Sequence, residues 1–112
     1  MKIYHNPRCR KSRESVQYLT DKKLNFEIID YLKEGVSEDD IKSILKKLNM
    51  SAIELVRKNE KIWKDNFKGK ELKEEQIISI LCEEPKLIER PIIVHKNKAV
   101  IGRPKENIDN LL

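Results

Sequence analysis

The pattern of apolar and polar positions predicts a βαβ unit at the start of the chain. Lys2 to Tyr4 is a short extended segment, followed by the turn signal His5-Asn6-Pro7. Small and apolar side chains then recur at three- and four-residue spacing, which is typical of one helix face. These positions are Cys9, Ser12, Val16 and Leu19. The β-branched and aromatic run Phe26 to Tyr31 predicts a second strand, parallel to the first if the helix is a right-handed crossover.

The middle of the chain predicts helices with explicit start signals. Ser37 and Asp40 have the spacing of a capping box, in which a side-chain oxygen at each end satisfies a free amide of the other. Ser51 and Glu54 repeat this spacing, and a short helix is predicted to run to about Arg57.

A third helix and a hairpin are predicted after this. The helix begins at about Lys73 and stops at Glu84-Pro85, because proline clashes with a continuing helical turn. Ile92 to His95 and Ala99 to Ile101 are β-rich runs separated by the turn Lys96-Asn97-Lys98, and they predict a β-hairpin.

The order of these elements predicts one α/β domain over residues 1–112, with a helical insertion at about 36–88. Pro104 is placed as the first residue of a closing helix. The apolar positions of that helix are Ile108, Leu111 and Leu112.

Composition and charge exclude several classes of partner and site. Lys and Arg number 24 against 19 Asp and Glu, and the two signs are interspersed, so we do not expect a nucleic-acid partner. No apolar run approaches the roughly 18 residues of a membrane span and no signal peptide is evident, so we expect a cytoplasmic protein without a membrane partner. Cys9 and Cys82 lie too far apart in sequence for a zinc-ligand cluster, which predicts two free thiols and no metal site.

Cys9 has the local setting of a reactive thiol. It lies at a helix start, where free backbone amides and the helix dipole stabilise a thiolate and can bind an oxyanion. Arg8, Arg10 and Lys11 add positive charge in the sequence around it. Ser12 completes Cys-x-x-Ser rather than Cys-x-x-Cys, so there is no adjacent thiol to close a disulfide. Cys82, within an apolar helix segment, is predicted to be an inert buried thiol.

The motif around Cys9 resembles the signature of the glutaredoxin-coupled arsenate reductase (ArsC) family, His-Asn-Pro-x-Cys-x-x-Ser-Arg, which falls here on residues 5–13. Three further motifs follow in the order and at the separations found in that family, so that the resemblance extends over essentially the whole chain. They are Leu55-Val56-Arg57-Lys58-Asn59, then Leu87-Ile88-Glu89-Arg90-Pro91-Ile92-Ile93-Val94, then Gly102-Arg103-Pro104.

The resemblance implies a thioredoxin-like mixed sheet of about four strands with an inserted helical region. It also implies that Cys9 is the catalytic residue, and that Arg57, Arg90 and Arg103 hold arsenate and stabilise the thiolate. The residues that the resemblance implies as supports of the site are His5, Asn6, Ser12 and Pro91, the last in a cis peptide bond. From the residues alone, His5 fits a backbone-capping role as well as a role in orienting the cysteine.

The implied activity is reduction of arsenate to arsenite through a covalent adduct on Cys9. Glutathione is the implied co-substrate and glutaredoxin the implied protein partner, with no bound cofactor and a monomeric protein. Planar guanidinium groups suit this substrate because they hold oxyanions bidentately and stay charged at any working pH.

Two alternatives share the fold. An Spx-like regulator would bind RNA polymerase, but Spx proteins typically carry Cys-x-x-Cys where this chain has Ser12. An orphan glutathione-dependent thiol reductase would tend to lack the last arginine motif, which Arg103 supplies here.

Overall fold

The computed structural model describes residues 1–112 and contains one four-stranded sheet. The strands are β1 (Lys2–Tyr4), β2 (Glu27–Ile29), β3 (Ile92–His95) and β4 (Lys98–Ile101), in the order β2-β1-β3-β4. β1 is parallel to β2, whereas β3 is antiparallel to both β1 and β4. The predicted four-stranded mixed sheet, the βαβ unit and the hairpin are therefore confirmed.

Five α-helices and three 3₁₀ helices complete the chain. The α-helices are α1 (Arg10–Asp21), α2 (Tyr31–Glu34), α3 (Glu38–Leu48), α4 (Lys61–Asn66) and α5 (Glu74–Glu83), and the 3₁₀ helices span Ala52–Leu55, Pro85–Leu87 and Lys105–Leu111. None of these helices combines the length and the apolar character needed to cross a bilayer.

The chain forms two compact units. The sheet unit comprises Met1–Glu34 with Arg90–Leu112, and the helical unit comprises Gly35–Glu89. The core of the sheet unit joins β1, α1, β3 and the last 3₁₀ helix through buried aliphatic side chains. They are Ile3, Leu19, Ile93, Ile108 and Leu111. Each such side chain contributes about 1.5–3 kcal/mol when fully buried, so this core fixes α1 on the sheet.

In the helical unit α3 and α5 pack together, and both predicted start signals are present. The Ser37 hydroxyl accepts from the Asp40 amide at 3.0 Å, and the Asp40 carboxylate accepts from the Ser37 amide at 3.1 Å. The Glu54 carboxylate likewise accepts from the amide and the hydroxyl of Ser51.

Several element bounds differ from the sequence prediction. The predicted strand 26–31 is confined to β2, because Asp30 caps the start of α2. The Asp30 carbonyl accepts from the Glu34 amide, and the Asp30 carboxylate accepts from the Lys33 amide. The helix predicted from Ser51 to about Arg57 is only the 3₁₀ helix Ala52–Leu55. The sequence did not predict α4. Its N-cap residue, Glu60, makes no side-chain capping hydrogen bond, so the usual start signal is missing.

The closing helix also differs from its prediction. It is a 3₁₀ helix, and Pro104 precedes it instead of being its first residue. Ile108 and Leu111 are buried as predicted, but Leu112 is 61% exposed. In a 3₁₀ helix residues three apart lie on the same face, so Ile108 and Leu111 share the core face and Leu112 does not.

Gly102 marks a close approach between the end of β4 and α1. A Cβ added there would lie 2.5 Å from Ser15 Oγ, 2.9 Å from Ile93 Cδ1 and 3.0 Å from Pro91 Cγ. We predict that Gly102→Ala lowers the free energy of unfolding by about 1–3 kcal/mol, the usual effect of overpacking a core. Urea denaturation measures this change. Ser15→Ala removes the nearest atom, so adding it to Gly102→Ala should restore part of the loss; no loss in Gly102→Ala would contradict the close approach.

Candidate active site

Cys9 occupies the N-cap of α1, and its side chain is only 7% exposed. The residues before it form a tight loop, in which the Asn6 carbonyl accepts from the Cys9 amide at 3.0 Å. The Asn6 side-chain oxygen accepts from the Arg8 amide at 3.0 Å, and the Arg13 guanidinium donates to the Pro7 carbonyl at 2.9 Å. The predicted position of Cys9 at a helix start is thus confirmed.

Two arginines from the ends of the hairpin surround this thiol. Arg103 Nη2 donates to Cys9 Sγ at 3.2 Å, and Arg103 Nε donates to the Arg90 carbonyl at 2.7 Å. The Arg90 side chain also interacts with the Cys9 thiol. Arg90 precedes β3 and Arg103 follows β4, and the structure brings both to Cys9.

Arg90 keeps unused hydrogen-bonding capacity at the site. Its Nε and Nη1 are buried and have no hydrogen-bond partner within the protein. Buried guanidinium donors are costly to leave unpaired, because each has lost its hydration. Such donors beside a thiol and a helix start fit an anionic ligand, which would satisfy them.

The surroundings of Cys9 favour the thiolate. Burial alone raises the pKa of the thiol, but the Ser12 amide, then Arg90, then Arg103 oppose it, and together they lower the pKa of Cys9 below its ordinary value. The sequence attributed this effect to the helix start and to the neighbouring cations, and the resemblance attributed it to Arg57, Arg90 and Arg103. In the structure Arg10 and Lys11 form ion pairs with Glu14, and the charges that stabilise the thiolate come from Arg90 and Arg103, about 80 to 95 positions away in sequence.

His5 and Ser12 form a buried pair beneath the cysteine loop. His5 Nδ1 and Ser12 Oγ are 2.6 Å apart, and the Ser12 hydroxyl also accepts from the Asn6 amide at 3.0 Å. Burial lowers the pKa of His5, with Arg13 adding to this effect and Asp30 opposing it. The hydroxyl that replaces the second thiol of a Cys-x-x-Cys motif therefore ties the two ends of the loop together.

Two residues considered in the sequence lie in the helical unit. Arg57 forms ion pairs with Glu60 and with Glu89, and its amide donates to the Leu87 carbonyl at 2.7 Å. Its role in holding arsenate stays a prediction. Cys82 is partly buried on α5, where burial and then the negative charges of Glu38, Asp40 and Glu83 raise the pKa of its thiol.

The peptide bond between Arg90 and Pro91 is cis, as the resemblance implies. A second cis bond joins Arg103 to Pro104 and was not expected from the sequence. Clusters of three or more His, Cys, Asp or Glu side chains that could hold a metal ion do not occur in the structure.

The opposite environments of the two thiols give a direct test. We predict that iodoacetamide alkylates Cys9 with a midpoint below the pH of about 8.5 at which a free cysteine ionises, and Cys82 with a midpoint above it. Peptide mass spectrometry reads both thiols in one sample, so Cys82 serves as the internal control. Equal midpoints would contradict an activated Cys9.

The chain is similar in sequence to one family of known proteins. A sequence model of the ArsC family matches residues 4–111. The arsenate reductase of Haemophilus influenzae (strain ATCC 51907 / DSM 11121 / KW20 / Rd) is 36% identical over 112 residues, which cover 98% of this chain and 97% of that protein. The uncharacterized protein YfgD of Escherichia coli (strain K12) is 43% identical over 110 residues, covering 96% and 92%.

The solved structures agree as well. The arsenate reductase from Vibrio cholerae superposes with a TM-score of 0.94 at 34% identity, covering 100% of this chain and 98% of that one. The thioredoxin-like fold implied by the resemblance is confirmed by this likeness. The sequence match and the structural match both extend over nearly the whole chain, and on that ground the chain belongs to the ArsC family.

Proposed function

We propose that the protein reduces arsenate to arsenite, with Cys9 as the nucleophile. The observation that carries this proposal is the Cys9 thiol at the N-cap of α1, hydrogen-bonded to Arg103 and interacting with Arg90, whose buried Nε and Nη1 lack partners. A site of this kind offers a nucleophile and fixed positive donors to the same oxyanion. The arsenate reductases among the relatives support the choice of substrate.

The first step joins sulfur to arsenic. The Cys9 thiolate attacks As(V), an arsenate oxygen leaves as water after protonation from solvent, and a covalent thiol-arsenate adduct remains. In this proposal Arg90 and Arg103 neutralise the oxygens that carry the charge, and the free amides at the start of α1 add to this effect. The resemblance adds Arg57 to the residues that hold the oxyanion.

The second step transfers the electrons. A glutathione thiolate attacks Cys9 Sγ, the S–As bond breaks with its electron pair on arsenic, and As(V) leaves as As(III) in arsenite. The two sulfurs are thereby oxidised to a Cys9–glutathione mixed disulfide. A glutaredoxin thiolate then attacks the glutathione sulfur, which releases the Cys9 thiolate and leaves a glutaredoxin–glutathione disulfide. An external thiol is needed in this scheme because Ser12 stands where a resolving cysteine would be.

Arsenate-dependent oxidation of NADPH tests the proposal. The purified protein is mixed with glutathione, glutathione reductase and glutaredoxin, and arsenite is quantified alongside NADPH. We expect consumption only when arsenate, glutathione and glutaredoxin are all present, and little when thioredoxin and its reductase replace them. Phosphate in place of arsenate is the control, since it is nearly isosteric but is not reduced.

A negative result in this assay would point to the alternatives. Co-purification with the α-subunit of RNA polymerase would favour the Spx-like regulator. Reduction of glutathione-linked disulfides without arsenate reduction would favour the orphan thiol reductase.

A further inference from the structure

The backbone of residues 101–103 places Arg103 beside the Cys9 thiol. A side chain outside the site holds this backbone segment. Asn107 Nδ2 donates to the Ile101 carbonyl at 3.0 Å and to the Arg103 carbonyl at 3.1 Å. The Gly102 amide donates to the Pro91 carbonyl at 2.9 Å. One side-chain amide therefore joins the peptide group before Gly102 to the peptide group after Arg103.

The need for this bridge follows from Gly102 itself. Ser15, Ile93 and Pro91 approach so closely that a Cβ would not fit, so the position requires glycine. Glycine is also the residue whose backbone is least restricted by its own side chain. Close packing therefore requires, directly before Arg103, the residue type whose backbone has the greatest conformational freedom.

We propose that Asn107 is a positioning residue for Arg103, because its side-chain amide bonds the carbonyls at both ends of the Gly102-Arg103 segment and so holds the Arg103 guanidinium against the Cys9 sulfur. Asn107 does not touch the sulfur itself; it acts through the backbone of Arg103. The inference deepens the proposed function and rests on it for any effect on arsenate turnover.

The distances show why small movements matter. Arg103 Nη2 is 3.2 Å from Cys9 Sγ, and Arg103 Nε is 2.7 Å from the Arg90 carbonyl. Rotation of the backbone between the Ile101 and Arg103 carbonyls would change the position and direction of the Arg103 side chain. Misplacement of a catalytic group by 1 Å can cost about 100-fold in rate. A displaced Arg103 would also stabilise the Cys9 thiolate less, so the pKa of Cys9 would rise.

The test measures thiol ionisation and so needs no arsenate. Asn107→Leu keeps the number and branching of the side-chain heavy atoms but removes both donors, and Asn107→Asp keeps the shape but cannot donate when ionised. We expect each to move the Cys9 alkylation midpoint upward by about half a pH unit, less than the shift of about one unit expected for Arg103→Ala. Asn110→Leu, an exposed change in the same 3₁₀ helix, is the matched control and should leave the midpoint unchanged.

A double-mutant cycle separates positioning from general stability. In an Arg103→Ala background Asn107→Leu should cause no further shift of the midpoint, because the group through which Asn107 acts is gone. Circular dichroism and thermal denaturation show which variants are folded. An unchanged midpoint in folded Asn107→Leu or Asn107→Asp, or an undiminished shift in the Arg103→Ala background, would overturn the inference.

The two proposals can fail separately. If the midpoints shift as expected but the protein does not reduce arsenate, then Asn107 positions Arg103 in a site with another substrate. If arsenate is reduced and the midpoints do not shift, the proposed function stands and the role of Asn107 is refuted.

Discussion

Cys9→Ser should abolish arsenate reduction, whereas Cys82→Ser should leave it nearly unchanged. In the proposed scheme every bond to arsenic and to glutathione forms at Cys9 Sγ, and serine at that position is a far weaker nucleophile and cannot form the mixed disulfide. We expect a loss of at least about a thousandfold in kcat, since removal of a nucleophile eliminates the covalent route. NADPH consumption with glutathione and glutaredoxin measures both variants under the same conditions.

Cys82→Ser is the matched control because it removes the same atom from the other cysteine. The pKa of Cys82 is raised by burial and by the carboxylates of Glu38, Asp40 and Glu83, and a protonated thiol is a poor nucleophile. If both variants lose activity and the oxidised protein contains a Cys9–Cys82 disulfide by mass spectrometry, the resolving thiol is internal and the dependence on glutathione is wrong.

Replacing Arg90 or Arg103 with lysine should lower arsenate turnover by about 10²-fold, comparable with the loss of one oxyanion-hole donor in other enzymes. Lysine keeps the charge but loses the planar fork, so it cannot hold two oxygens in one plane or bond a sulfur and a carbonyl together as Arg103 does. The same change at Arg57 tests the role that the resemblance implies for it. Steady-state kinetics over arsenate concentration measure each variant.

The kinetic parameter that changes identifies what each arginine does. An increase in KM alone would mean that the arginine binds substrate and transition state equally, whereas a lower kcat at saturating arsenate would mean stabilisation of the transition state. Arg10→Lys is the control, since the Arg10 side chain is 83% exposed and pairs only with Glu14. Full activity in a folded Arg57→Lys, Arg90→Lys, Arg103→Lys triple variant would refute the proposed site.

Local signals determined much of the fold and the position of the nucleophile. Strand and helix periodicities predicted the βαβ unit and the hairpin. The capping boxes at Ser37 and Ser51 marked helix starts that the structure contains. Cys9 was placed at a helix start by the turn signal before it. These features depend on residues within a few positions of one another, so a single sequence displays them.

Two features that the sequence prediction missed or assigned differently also rest on contacts within one helix. α4 has no local cap, and its buried Trp63 packs against Phe67 with ring centroids 5.4 Å apart. The sequence also placed positive charge near Cys9 through its neighbours, but Arg10 and Lys11 pair with Glu14 because that carboxylate is four and three residues away from them on the same helix face.

What the sequence determined by itself is the set of reactive groups: a cysteine at a helix start, arginines next to prolines, and a serine in place of a second thiol. The family resemblance named Arg90 and Arg103 as cations at the thiol, but only the tertiary structure decided how they reach it and how they are held. Arg90 and Arg103 come together because antiparallel pairing of β3 and β4 brings the two ends of the hairpin side by side. The Asn107 bridge across Gly102 follows from the same folding of the chain, because a hydrogen-bond partner is fixed by position in space and not by residue type.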